Sequence, residues 1–375
     1  MAARLTRAKR IAAVPEAARD VWDRLGAHGE TYLVGGAVRD ILLGRTPHDY
    51  DLATSLRPEE AQRILGWSEG PGGRFGSLRA PGLALEVVAM REESGYQDRR
   101  RPDEVRFGAT LAADLGRRDF TVNALALRRD GSIVDPFGGR RDLRRLRLAT
   151  VGAPETRLRE DLLRVLRAYR LCAELGFRPA TALRAAARRL APELQEVAPE
   201  RVGEEVWRLL AGEGALLALR RAQRDGVLRV VAPWLRPTHP ADGRIPRVLA
   251  WSQAASAERV LDAAQRFAWP HAARREISQA LALRDAVRAT PERARWRQAL
   301  AESGAQAALE VVRAGGGPRL QAFARMFGRE GVIDRYRLSL RGMDLALDRG
   351  AAAEEIGRLE MEELGRLWRD PRPLV

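Results

Sequence analysis

YLVGGAVRDILLGRTPHDYDLATS, residues 32–55, joins an apolar strand, a glycine turn, a short helix and a second strand carrying two spaced carboxylates. Tyr32-Leu33-Val34 reads as the first strand and Gly35-Gly36 as the turn. Ala37 to Leu43 has the apolar spacing of a short helix, ended by Gly44. Glycine lets a backbone approach a triphosphate closely, and the N–H groups and dipole at a helix start favour an anion. Gly36 is therefore a candidate nucleotide-binding position. Arg39, one turn into the helix, is placed to add charge-assisted hydrogen bonds to the phosphates.

With Tyr50 in a strand, Asp49 and Asp51 leave the same face, their Cα atoms about 6 to 7 Å apart. Phosphoryl transfer asks a protein mainly for in-line positioning and for neutralisation of charge on the attacking and leaving oxygens. Two divalent cations held by carboxylates supply that, and carboxylate oxygens suit Mg²⁺. Asp49 and Asp51 are the candidate catalytic and metal-binding pair. A glycine pair alone is commonly an ordinary turn, and an Asp-x-Asp alone is commonly a cap. Their order and proximity point to nucleotidyl transfer.

Four further motifs follow: LGRRDFTVNALAL (115–127), IVDPFGGRRDLRRLRLATVG (133–152), RLREDLLRVLRAYRLCAELGF (157–177) and PERVGEEVWRLL (199–210). In this order the five resemble the tRNA nucleotidyltransferases of bacterial and eukaryotic type, a family that includes CCA-adding enzymes and bacterial poly(A) polymerases. The resemblance runs from Tyr32 to about Glu205. It implies an α+β chain: a nucleotidyltransferase head with a mixed β-sheet and helices, then an all-α neck, body and tail. The expected boundaries are 1–150 for the head, 151–215 for the neck with its base-selecting helix, 216–285 for the body and 286–375 for a tRNA-binding tail. The implied substrates are tRNA, CTP and ATP, and the implied product is the CCA end. Leu340 to Leu345 faintly resembles a tail segment of the family.

Within that resemblance Glu86, a lone acid in the apolar strand LALEVVAM, becomes a third catalytic carboxylate. Burying it is costly unless it is paired or bound to metal. Residues 91–106, REESGYQDRRRPDEVR, read as a charged loop, and the family's corresponding element is needed for adding the terminal adenosine. Arg118 is implied to contact the nucleotide, with Asp119 near the sugar. Asp161, Arg164, Arg167 and Arg170 recur every third residue along an expected helix from Glu160 to Arg170 and are the candidate base-selecting and nucleotide-binding groups. Cytosine and adenine each present an amino donor beside a ring-nitrogen acceptor, matching Asp161 and Arg164. Uracil and guanine present a carbonyl and an N–H there and leave both side chains unpaired. A Glu160–Arg164 ion pair on a solvated helix is the competing interpretation.

The chain has 375 residues, too many for one core, and its net charge of +15 calls for a polyanionic partner. Lys9 is the only lysine, so coding bias explains arginine in place of lysine, but not 65 basic against 50 acidic residues. A single cysteine, Cys172, excludes an intramolecular disulfide and a cysteine-based zinc site. His48 adjoins the aspartates and is expected at a strand edge. No export signal or membrane span is evident, so a cytoplasmic protein is expected. Beyond about Thr156 the periodicity is helical, broken at Pro233, Pro237, Pro240, Pro270 and Gly315 to Pro318. An A-only or poly(A)-adding enzyme would keep the same motifs, and a catalytically retired RNA-binding protein is the alternative of another class.

Overall fold

The computed structural model describes residues 5–67, 76–94 and 104–328. The chain divides into two compact units, Met1–Val197 with Asp225–Val227, and Ala198–Arg224 with Leu228–Val375.

The first unit opens with α1 (Arg7–Ala12) and α2 (Glu16–Gly26). Ala18, Val21, Trp22 and Leu25 recur at helical spacing and form the buried face of α2. Next come β1 (Thr31–Val34), α3 (Gly36–Leu42), β2 (Tyr50–Thr54) and α4 (Pro58–Leu65). Pro58 opens α4, where a missing N–H costs nothing, and left-handed Gly66 closes it. The unit continues through β3 (Ser77–Arg79), β4 (Leu85–Ala89), β5 (Arg91–Ser94), β6 (Glu104–Phe107), α5 (Leu111–Gly116), β7 (Ala126–Leu127) and β8 (Ile133–Val134). It ends with α6 (Gly139–Arg144), β9 (Arg147–Leu148), α7 (Pro154–Glu160), α8 (Leu163–Leu175), β10 (Arg178–Pro179) and α9 (Thr181–Leu190).

Six strands form one sheet in the order β3-β4-β2-β1-β7-β8. β2 and β4 are parallel and the other pairs antiparallel, which makes the sheet mixed, as expected. The registers Tyr32 with Ala53, Val34 with Asp51, Asp51 with Glu86, and Ala53 with Val88 place all of these on one face. That face carries an apolar cluster of Tyr32, Val34, Ala53, Leu115, Ala124, Ala126 and Val151, with Val88 packed against it. Asp51 and Glu86 therefore stand at the margin of a dry core.

Three features depart from the sequence expectations. Residues 91–106 are not simply a loop: β5 and β6 pair antiparallel, Arg91 opposite Phe107 and Ser94 opposite Glu104, while residues 95–103 lie outside the described residues. A strand also appears beyond residue 156, where β10 pairs parallel with β9. Thirdly, the helix expected from Glu160 to Arg170 is broken. α7 ends at Glu160, Asp161 is extended at φ −149° and ψ 105°, and α8 starts at Leu163.

The described part of the second unit is helical: α10 (Pro199–Ala211), α11 (Ala215–Arg224), α12 (Val227–Val231), α13 (Arg244–Trp251), α14 (Ala257–Arg266), α15 (His271–Ala289), α16 (Arg293–Ala314) and α17 (Pro318–Gly328), with Val227 itself counted in the first unit. Helix is lacking from Ala232 to Gly243, Pro270 precedes α15, and α16 stops before Gly315, so the breaks follow the prolines and glycines. Trp269 centres an aromatic core, 4.9 Å from Trp207, 5.8 Å from Phe267 and 6.2 Å from Trp234 between ring centroids. Its indole N–H donates to the Gly203 carbonyl at 2.9 Å. Leu340 to Leu345 lies outside the described residues.

Candidate active site

β1 delivers the chain to Gly35, whose φ of +77° and ψ of −141° admit glycine alone without strain. A Cβ there would lie 2.7 Å from Arg118 Nη1 and 3.4 Å from Asp51 Oδ2. The glycine turn, the strand aspartate and the arginine of the second motif thus meet at one point. Gly36 starts α3, and a Cβ on it would touch the Arg39 guanidinium at 3.5 Å.

Asp49 is exposed and immediately precedes β2, Asp51 is half-buried within it, and Glu86 lies beside Asp51 across the parallel pair. Neither carboxylate oxygen of Asp51 accepts a hydrogen bond among the described residues. Burial pushes its carboxyl up to about 6; Arg118 opposes that, and Asp49, Glu86 and Asp114 add repulsion. Burial also raises Glu86, against Arg79 and with a push from Asp49, while the Ser77 hydroxyl donates to it. Converging, partly dried and mutually repelling carboxylates fit a cation. Among the described residues no three His, Cys, Asp or Glu side chains form a ready-made metal cage. A carboxylate pair that leaves coordination positions open suits a hard divalent cation.

Behind Arg118 stands a group that the sequence reading passed over. Asp114 is fully buried; it accepts from Arg117 Nε and Nη2 at 3.0 and 2.8 Å and from Arg118 Nη2 at 3.5 Å. Burial opposes its charge, but Arg117 and Arg118 outweigh that and hold the carboxyl below its usual range. Arg117 continues to Glu93 of β5 at 2.9 Å, where Arg91 also donates at 2.7 Å. Arg118 Nε remains a buried donor with no partner among the described residues. The signal for Asp114 was its spacing: three and four residues before two arginines on a helix.

A second network joins α3 to α8. Arg39 forks onto Asp40 with two 2.9 Å bonds and donates to Asn123 Oδ1 at 2.7 Å. Asn123 donates to Asp119 at 3.0 Å, and Arg167 of α8 reaches the other Asp119 oxygen at 3.3 Å. Asp119 is half-buried, and its carboxyl is held low, since Arg167, Asn123 and Arg164 together outweigh desolvation. Arg39 is thus engaged with side chains of its own unit, and Asp119 ties the second motif to α8.

Asp161 and Arg164 are neighbours across a helix break. Asp161 Oδ1 accepts from the Leu163 N–H at 3.1 Å, fixing the start of α8. Arg164 donates to Glu160 Oε2 at 2.5 Å and to the Arg157 carbonyl at 2.8 Å, so the ion pair of the competing interpretation is present. Arg157, also missed, donates to Glu160 and to the carbonyls of Gly116, Arg117 and Val151, binding α7 to the end of α5. Arg170 is buried and forks onto Glu174 at 2.9 and 3.0 Å. His48 is exposed on the approach to β2 and Cys172 is buried in α8.

Comparison with known proteins accords with this geometry. Residues 31–149 match the family described as the poly A polymerase head domain, and residues 176–237 one described as a probable RNA and SrmB-binding site of polymerase A. CCA-adding enzymes of Limosilactobacillus reuteri and Geobacillus kaustophilus are 41% and 42% identical over 215 and 200 residues. These alignments take in 56% and 52% of this chain and 53% and 50% of the relatives. The chain spans about half the length of the curated relatives it matches. The crystal structure of the Bacillus stearothermophilus CCA-adding enzyme in complex with CTP is 31% identical, with a TM-score of 0.66, covering 93% of this chain and 90% of that one. The Thermotoga maritima CCA-adding enzyme complexed with tRNA shares 18% identity, a TM-score of 0.67 and 99% and 96% coverage, a likeness of fold.

Proposed function

The chain belongs to the bacterial- and eukaryotic-type tRNA nucleotidyltransferase and poly(A) polymerase family, and from that membership we propose that it is a CCA-adding enzyme. It extends the 3' end of tRNA by C, C and A from CTP and ATP, releasing pyrophosphate and using no nucleic-acid template. The observation that carries this is the meeting of Gly35, Asp51 and Arg118 beside Glu86.

Asp49 and Asp51 hold the metal, for which Mg²⁺ fits best. When bound, it activates the RNA 3'-hydroxyl and neutralises charge at the reacting phosphate. Glu86 adds negative field on the same face. Gly36 lets the triphosphate approach the start of α3, and Arg39, exchanging part of its Asp40 pairing for phosphate, binds the leaving pyrophosphate. Arg118, whose Nε lacks a partner among the described residues, contacts the nucleotide. In the transfer step the 3' oxygen of the RNA bonds to the α-phosphorus as the bond to the pyrophosphate oxygen breaks. Asp161 and Arg164 select cytosine and adenine by hydrogen bonding, while Arg167 and Arg170 make nearby nucleotide or phosphate contacts.

Residues 1–150 act as head, 151–215 as neck, 216–285 as body and 286–375 as tail, the last two gripping tRNA. No helix among the described residues is long and apolar enough to cross a membrane, and with tRNA as substrate the protein's place is the cytoplasm.

The test supplies Mg²⁺ and labelled CTP or ATP, separately and together, to tRNA transcripts ending before CCA, after one C and after both. Addition of C, C and A followed by arrest supports the reading. Long A tails, or A added to the CC-ended transcript alone, would replace it with a poly(A) or A-only enzyme. Tight binding without incorporation would mean a retired RNA-binding protein.

A further inference from the structure

α6 sorts its charge by face. Arg140, Arg141, Arg144 and Arg145, on the helix and the turn after it, are all exposed, and none forms an ion pair among the described residues. The one acid of the segment, Asp142, is turned inward, 1% exposed, and accepts from the Thr121 hydroxyl at 2.7 Å. Several exposed arginines elsewhere in the unit are matched: Arg129 to Asp23, Arg159 to Glu155 and Glu193, Arg189 to Glu155. Asp135, at the start of α6, spends its two oxygens on the Gly139 and Arg140 backbone N–H groups at 2.7 and 3.0 Å. Coding bias toward arginine does not explain why four crowd one short segment with no carboxylate paired to them among the described residues.

The basic surface extends beyond the helix. Arg147 and Arg178 are register partners in the parallel β9–β10 pair, so their side chains share a face. Arg147 Nε has only the buried Asp142 at 3.5 Å, and the exposed Arg178 has no ion pair among the described residues. On the other side, the charge of Arg10 in α1 feels that of Arg140.

Between Arg145 and Arg147 sits Leu146, 53% exposed and left-handed at φ +48°. A leucine in that conformation costs about 1 kcal/mol. It is held there by its N–H donating to the Leu143 carbonyl at 3.1 Å and its own carbonyl accepting from the Arg178 N–H at 2.8 Å. The fold thus presents an apolar side chain outward among arginines. That pairing matches a polyanion that also offers flat apolar surface: phosphates for the guanidinium groups, a ribose or base face for the leucine.

We infer that α6, Leu146 and the β9–β10 pair form an RNA-binding surface on the first unit, additional to the transfer site, that holds the phosphate backbone of the substrate. It rests on the reading of the substrate as RNA. The probe is a tRNA transcript ending before CCA, its binding to the full chain followed by fluorescence anisotropy over a series of KCl concentrations. Arg140→Gln, Arg141→Gln, Arg144→Gln and Arg145→Gln combined should weaken binding and flatten the slope of log K against log salt by about 1 for each phosphate no longer neutralised. With RNA saturating, kcat and the KM for CTP should match wild type. Leu146→Ala should weaken binding and leave the slope unchanged. Unchanged affinity and slope in the quadruple variant would overturn the inference. So would wild-type binding to phosphatidylglycerol vesicles that the variant loses while keeping its tRNA affinity, which would assign the surface to a membrane. Because the measurement reads binding, its failure is separate from failure of the transfer assay.

Discussion

Arg118 Nη1 lies 2.7 Å from the point a β-carbon on Gly35 would occupy. Gly35→Ala therefore carries two penalties. The backbone at φ +77° and ψ −141° is strained for alanine by about 1 to 3 kcal/mol, and the guanidinium must move away from the carboxylates. A displaced preorganised donor costs about 10² to 10³ in rate. The expected outcome is a loss of that order in kcat/KM for CTP, a modest fall in urea stability and little change in tRNA affinity. Full activity would show that neither Gly35 nor the position of Arg118 matters to transfer.

Asp51 is disfavoured as an anion in the metal-free protein, where burial and three neighbouring carboxylates oppose it and Arg118 is its main support. Asp51→Asn should then abolish nucleotide addition while leaving the chelator-treated protein at neutral pH as stable as wild type or more so, the stability–function trade-off of a strained site. Asp51→Ala should be equally inactive and retain tRNA binding. Thermal melts in chelator, beside gel-shift and incorporation assays, read these outcomes. A lower Tm together with lost binding would make the aspartate structural.

Asp161 holds the Leu163 N–H and is also proposed to read the base. Asparagine keeps an acceptor for that N–H, as caps of the two types are nearly equivalent, but adds an amide donor suited to a carbonyl. Asp161→Asn should therefore keep its Tm and raise UTP incorporation relative to CTP by about tenfold or more. Asp161→Ala should relax base choice as well and lose about 1 kcal/mol of stability with the cap. If both variants discriminate against UTP as wild type does, Asp161 does not select the base.

The strands and turns around Gly35 and the aspartates were legible because each is a short-range event: alternation fixes a strand face, and a glycine pair fixes a turn. The register that sets Glu86 beside Asp51 joins segments thirty-five residues apart, and only its apolar setting hinted at it. Asp161 was misplaced by local periodicity. A three-residue spacing reads as one helix, whereas here the chain breaks so that the aspartate can hold the first N–H of α8. Arg157 was not legible because its partners are mostly backbone carbonyls, which leave no trace in residue spacing. Asp114 left only a faint trace, since an acid three and four residues before two arginines reads equally well as a solvated helix face. The β5–β6 pairing was hidden by charge, since Glu92 faces Arg106 where a strand reading expects apolar residues.

Asp225 offers the clearest pH dependence. Its buried carboxylate accepts from the Tyr169 hydroxyl at 2.8 Å, from Arg184 at 2.8 and 2.7 Å and from Arg188 at 2.9 Å, tying α8 and α9 to the Asp225–Val227 segment of their own unit. Burial works against the charge, but the two arginines and the hydroxyl outweigh it and hold the carboxyl below the usual 3.8. A carboxyl lowered in the folded state contributes stability above the unfolded value and loses it as pH falls through the folded one. Asp225→Asn should therefore cost about 2 kcal/mol at pH 7, at the low end for a buried pair because Arg184 and Arg188 reach solvent. The deficit should persist down to about pH 4 and shrink below 3.8, as wild type itself becomes protonated. Urea unfolding of both proteins across that range measures it. A deficit that stays constant into acid would mean that the variant suffers from altered packing around Tyr169 and not from the lost charge.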